Sequence, residues 1–197
     1  AQHDHVYEDI ATKFFEHFLH IAEALMDIGG DGVGLWHEED RFYYDVLRLP
    51  NGAHVPMRLR SMVGLIPLFA VEILDEDLLG RVPAFTRRME WFLRYRPDLA
   101  ALVSHWNVPG EGRVRLLSLA RAFRMKRIIE RVLDPAEFLS DYGVRALSKI
   151  YEHEPYVLEG GGQRFEVRYL PAESDSGLFG GNSNWRGPIW WPVNYLL

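Results

Sequence analysis

The sequence predicts a mainly α-helical fold with short β-hairpins set into the connections. Three observations carry this reading. Apolar residues recur every three or four positions over several long stretches, turn signals such as Pro50-Asn51-Gly52 interrupt them, and no strand–helix–strand repetition of the kind that builds a parallel sheet is present. With 197 residues, 48% hydrophobic and 25% charged, the chain is long enough to bury a sizeable core and reads as one domain, residues 1–197.

The first helix is predicted from Tyr7 to Met26, with Ile10, Phe14, Phe18, Ile21 and Leu25 as its apolar face and Gly29-Gly30 as its stop. His3, His5, His17 and His20 lack the Glu-rich context of a zinc helix and read as solvated, so no metal is expected. A Gly-rich acidic loop follows from Asp31. Phe42 to Leu49 then reads as a strand, Pro50-Asn51-Gly52 as a hairpin turn, and His54 to Arg60 as the returning arm. From Ser61 to Leu74 the spacing of Met62, Leu65, Ile66, Phe69 and Ile73 predicts a helix kinked at Pro67. Another helix is predicted from Pro83 to Tyr95, packing through Phe85, Met89, Phe92 and Leu93 and stopping before Pro97.

Ser104-His105-Trp106-Asn107, followed by Pro109-Gly110, reads as a loop with candidate site residues but offers no Ser-His-Asp arrangement. Leu116 to Leu133 reads as largely helical, with Arg121, Arg124, Lys126, Arg127 and Arg131 on a solvated face. Asp134-Pro135-Ala136-Glu137 has the residues of a helix start, and Tyr142-Gly143-Val144 those of a bend. Gly160-Gly161-Gly162 lacks the lysine of a phosphate loop and reads as a turn before a strand from Gln163 to Leu170.

Two stretches carry candidate chemistry. In the last, Gly180-Gly181 frees the backbone to aim Asn182 and Asn184 inward, Arg186 adds a rigid fork of donors, and Trp185 and Trp190 add broad apolar faces. That combination suits a ring with one apolar face and a hydroxylated rim. Pro188 is placed to open a terminal helix. The second stretch holds Glu38, Glu39, Asp40 and Asp45 beside Trp36, Tyr43 and Tyr44, and three readings stay open. It is a solvated acidic loop, a calcium loop lacking the required spacing, or a sugar-binding wall in which carboxylates accept from hydroxyls and rings stack.

Composition excludes other classes. A net charge of −6 without a basic, aromatic-interleaved stripe disfavours nucleic acid. The absence of cysteine removes disulfides and thiolate sites and fits a cytoplasmic location. No apolar run reaches the length of a membrane span, and no cofactor motif is present. Both ends read as truncated, since the chain stops on apolar Tyr195-Leu196-Leu197 without a cap or polar tail.

The run Gly177 to Leu197, containing Trp185-Arg186-Gly187-Pro188-Ile189-Trp190, resembles the corresponding segment of glycoside hydrolase family 63 and its mannosylglycerate hydrolase-like relatives. Gly34-Leu35-Trp36-His37-Glu38-Glu39-Asp40-Arg41-Phe42-Tyr43-Tyr44-Asp45 resembles that family's acidic-aromatic loop, which usually has Asp and Gly where this chain has His37 and Arg41. Leu59 to Pro67 gives a third similar patch. The resemblance implies part of an (α/α)6 six-hairpin barrel, about half of one, and an inverting enzyme acting on α-glucosidic or α-mannosidic bonds. Such an enzyme needs two carboxyl groups about 6.5–9.5 Å apart. Neither of the family's acid and base contexts occurs in these residues, so no catalytic residue is assigned here. The chain is expected to supply substrate-binding walls, Trp36, Tyr44 and Asp45 from one loop and Trp185, Arg186 and Trp190 from the other. Its partners are then an oligosaccharide or small glycoside and the remainder of a parent polypeptide. The alternative is a non-catalytic carbohydrate-binding or helical scaffold module.

Overall fold

The computed structural model describes residues 5–101, 114–171 and 188–197. The chain divides into two compact units, Ala1–Trp36 with Ala70–Arg124, and His37–Phe69 with Met125–Leu197.

In the first unit α1 (His5–Met26) packs on α3 (Pro83–Tyr95) and α4 (Pro97–Ala100), with α2 (Glu76–Arg81) beside them. The core joins Phe15, Leu19 and Ala22 of α1 to Phe85, Met89 and Phe92 of α3 and to Leu99, Leu74 and Leu117. Phe15 meets Phe85 and Phe92 edge-on at centroid distances of 5.5 and 5.8 Å, the geometry that the ring quadrupoles favour. Pro83 begins α3 as predicted, and Val82 has no side chain to cap it. Buried Glu8 of α1 takes that role: its Oε1 accepts from the N–H groups of Ala84 at 2.5 Å and Phe85 at 3.0 Å, a carboxylate placed at a helix start. Strands β5 (Val71–Leu74) and β6 (Arg115–Ser118) pair antiparallel, with Val71 opposite Ser118.

The predicted apolar face of α1 is only partly the buried one. Burial follows Glu8, Phe15, Leu19 and Ala22, flanked by Ala11, Phe18 and Leu25, whereas Ile10, Phe14 and Ile21 are exposed. The helix carries two apolar stripes, and the periodicity mixed them.

The second unit is built of hairpins. β3 (Asp45–Arg48) pairs with β4 (His54–Met57) in the predicted hairpin, Asp45 opposite Met57, and Gly52 turns at φ 83°. β1 (Trp36–His37), at the boundary of the units, pairs with β2 (Phe42–Tyr43). β7 (Leu139–Ser140) pairs with β8 (Gly143–Val144), and β9 (Tyr156–Gly160) with β10 (Gln163–Val167). α5 (Ala122–Val132) spans the boundary of the two units, and α6 (Trp191–Leu196) ends the chain.

These elements correct the expected fold class. The described residues form a mixed α/β fold in which all ten strands lie in two-stranded sheets, and they do not form part of an (α/α)6 toroid. The reason is local. Residues 62–68 wind as a 3-10 helix, because Pro67 donates no hydrogen bond and Gly64 presses against Phe42 and Tyr43, and residues 71–74 extend into β5. Residues 115–118 are likewise strand, so the predicted helix from Leu116 shrinks to α5. Asp134 does accept from the Ala136 N–H at 2.8 Å, but the turn it starts leads into β7 and no helix follows. Pro188 lies outside α6, whose first turn takes Pro192 instead.

Candidate functional site

The second unit carries a cleft of about 670 Å³, and a two-residue hairpin loop forms part of its wall. Between β7 and β8 the loop is Asp141-Tyr142, and the turn is pinned from inside. Ser140 Oγ donates to the Gly143 carbonyl at 2.7 Å and accepts from the Tyr142 N–H at 3.2 Å. Gly143 holds φ 128°, open to glycine, and a Cβ there would stand 2.6 Å from Asn194 Oδ1. Asn194 closes the arrangement from α6. Its Oδ1 accepts from the Val144 N–H at 2.6 Å, and its Nδ2 donates to the carbonyls of Val144 and Trp190, both at 3.1 Å. The backbone of the turn is thus held in place, and the Tyr142 side chain on it is 88% exposed. An aromatic ring so exposed offers a face on which a ligand ring can stack.

Arg145 forms the floor. Its Nε donates to the Tyr169 hydroxyl at 3.1 Å, and its Nη1 to the carbonyls of Pro135 at 3.1 Å, Glu137 at 3.3 Å and Leu139. These bonds fix the guanidinium before any ligand arrives. Lys149 also lines the cleft, its Nζ 3.8 Å from Glu152 on the solvated side. Ile189 bridges Arg145, and the Ala146 N–H donates to the Pro188 carbonyl at 3.1 Å, so Pro188 and Ile189 form wall together with Pro171. Asp141 is the one carboxylate among the described lining residues. The cleft has the means to hold a polyhydroxylated ring through an aromatic face, an ammonium, a carboxylate and a hydroxyl, and its described lining residues include one carboxylate where glycoside hydrolysis needs two.

Of the expected wall residues, Tyr44, Asp45 and Trp190 are not among those that line this cleft. Tyr44 is 6% exposed, and its hydroxyl accepts from Arg60 Nε at 3.3 Å. Burial raises its pKa, against the lowering effect of Arg60. Asp45 is half-buried in β3. Trp36 belongs to the first unit, where its ring meets Phe123 edge-on at 6.3 Å and the Arg124 guanidinium carbon lies 4.9 Å from its centroid. Trp190 packs with Phe69 on Met62, Ala146 and Val193. Trp185 and Arg186 lie outside the described residues. Among the described residues no three His, Asp or Glu side chains gather as a metal-ligand set.

Around Tyr44 the acidic loop enters an ion network. Asp40 pairs with His37 at 3.1 Å and with Arg60 at 3.6 Å, and buried Glu137 takes Arg60 at 3.3 Å, Arg131, and the Ser148 hydroxyl at 3.3 Å. Arg131 also donates to the Asp40 carbonyl. Burial works against the Arg60 charge, and the Tyr44 hydrogen bond with the field of Glu137 outweighs it, so its pKa rises. These bonds make Asp40 and Glu137 structural acceptors. Arg41 holds a φ of 52° in the left-handed region.

Sequence reasoning missed Asp141, Lys149, Arg145 and Tyr169. A tyrosine inside a predicted bend was the available signal for Tyr142, because an aromatic at a turn is exposed by default.

No family model matches the chain, and no solved structure does. All of it aligns with an uncharacterized protein of the yeast Saccharomyces cerevisiae, to which it is 43% identical over 210 residues, and it spans 19% of that relative's length.

Proposed function

We propose that the chain is the substrate-binding portion of a longer glycoside hydrolase acting on α-glucosidic or α-mannosidic bonds, and that it holds a saccharide in the cleft of the second unit. The observation that carries this reading is the exposed Tyr142 ring, carried on a pinned turn and lining the cleft with Asp141 and Lys149. Two further points support it. Pro171 and Pro188 in the cleft wall flank residues 172–187, which contain Trp185 and Arg186. The resemblance of that segment to family 63 points to the same ligand class.

Under this reading the acid and base come from outside residues 1–197, the ligand is an oligosaccharide or small glycoside, nucleic acid is not a partner, and the enzyme works in the cytoplasm. No described helix is long and apolar enough to cross a membrane. The single carboxylate among the described lining residues also favours a second reading, a carbohydrate-binding module without catalysis.

Hydrolysis of α-glucosides and α-mannosides by the native-length polypeptide separates the two. The first reading predicts turnover with inversion by the native-length protein and none by residues 1–197 alone. Turnover by residues 1–197 alone contradicts it. Saccharide binding without turnover in the native-length protein selects the binding module.

A further inference from the structure

Helix α1 buries one stripe and shows another to solvent. Tyr7, Phe14 and Ile21 stand seven residues apart, 56, 69 and 51% exposed; Ile10 fills the intervening position of the first interval at 44%, and exposed His17 that of the second. Val6 extends the stripe at its start with 64% exposure. A seam with this heptad spacing runs almost parallel to the helix axis, and a second helix lying alongside at 8–10 Å is what covers such a line continuously. Next to it an apolar groove of about 280 Å³ opens, with Phe14 and Phe18 on one side and Leu78, Val82 and Leu117 on the other. The opposite stripe, through Phe15, Leu19 and Ala22, is already filled by α3 and α4. An apolar seam of this length left in water on a helix of 22 residues is an interaction surface.

We propose that this seam docks an amphipathic helix of about 20 residues, matched to the length of α1, supplied by the remainder of a longer polypeptide. The length of the relative argues for that occupant over a second copy. The chain spans 19% of it, so most of such a polypeptide lies outside these residues. A segment joined to α1 by the chain itself docks intramolecularly, without the concentration dependence that a separate copy faces. The inference shares with the proposed function only the longer polypeptide and is independent of any saccharide.

The test places the photo-cross-linker benzoylphenylalanine at Phe14, and separately at Ile21, in the native-length polypeptide. After irradiation the products are sized under denaturing conditions and mapped by mass spectrometry. The proposal expects cross-links within one polypeptide, from both positions, to one helix outside residues 1–197, about two turns apart along it. It also expects Phe14→Asp to reduce the Ile21 cross-link by at least tenfold. A dimer-sized product, a partner peptide inside residues 1–197, the absence of a cross-link, or a native polypeptide of 22.9 kDa overturns it. Loss of this docking with saccharide binding intact leaves the functional reading standing, and the reverse result leaves the docking standing.

Discussion

Replacing Glu137 by glutamine keeps its volume and removes one charge from the ion network of the second unit. The side chain is 9% exposed, those of Arg60 and Arg131 are 20% exposed, and both guanidiniums pair with the same Oε1. Breaking a buried pair by removing one partner costs about 3–5 kcal/mol, because the other charge is left uncompensated in a poorly solvated place. Two features pull the value to the lower end. Asp40 stands 3.6 Å from Arg60 and takes part of its charge, and one fifth of each arginine side chain still meets water. The expected loss is about 3 kcal/mol. Urea unfolding followed by tryptophan fluorescence reads it as a lower midpoint with an unchanged slope. The pair Arg131→Met with Glu137→Met should recover the part of that loss due to Arg131, while Arg60, still without Glu137, keeps the remainder. A loss below about 1 kcal/mol for the glutamine variant would refute the reasoning, because it is the size expected of a solvated pair.

Further outcomes follow from single contacts. Glu8→Ala should cost about 1–2 kcal/mol in urea unfolding, the worth of a helix cap, and hydrogen exchange should speed up at Ala84 and Phe85 first. Arg41→Gly should stabilise by about 0.5–1 kcal/mol through relief of the left-handed backbone. Tyr44 and Tyr151 are both pushed above the ordinary tyrosine value of 10.0, by burial first. A raised folded pKa gives stability that is whole below pH 10 and is lost as pH climbs toward the folded value. Stability against urea should therefore decline above pH 10, and Tyr151→Phe should flatten that decline. The same variant should cost about 1–2 kcal/mol at pH 7, because the Arg60 N–H donates to its hydroxyl at 2.8 Å and the hydroxyl donates to the Arg58 carbonyl at 3.2 Å.

What the sequence made legible was local. The span of α1, the start and stop of α3, the Pro50-Asn51-Gly52 hairpin and β10 all depend on neighbours within a few residues, and the structure has them. Residues 71–74 and 116–118 read as helix because short apolar runs have no decisive period, and pairing between β5 and β6 settles them only in the folded chain. The same limit hid the candidate site. Glu137 looked like part of a capping box and Arg131 like a solvated cation, yet Glu137 meets Arg60 across 77 residues and Arg131 meets Asp40 across 91. Arg145 gives no local sign that it will bind four acceptors. The toroid expectation rested on resemblance alone, and the hairpins of the second unit overturn it.

The central claim is that the cleft beside Tyr142 holds a saccharide, and calorimetric titration tests it most directly. α-Linked gluco- and manno-oligosaccharides are titrated into the native-length polypeptide and into its Tyr142→Ala variant. Loss of one aromatic stacking contact, about 1.5 kcal/mol, corresponds to roughly tenfold weaker binding. The account predicts saturable binding to the parent protein, weakened about tenfold in the variant with urea stability unchanged, because the Tyr142 ring is exposed. Equal affinity in the two proteins, or no saccharide bound by either, contradicts it.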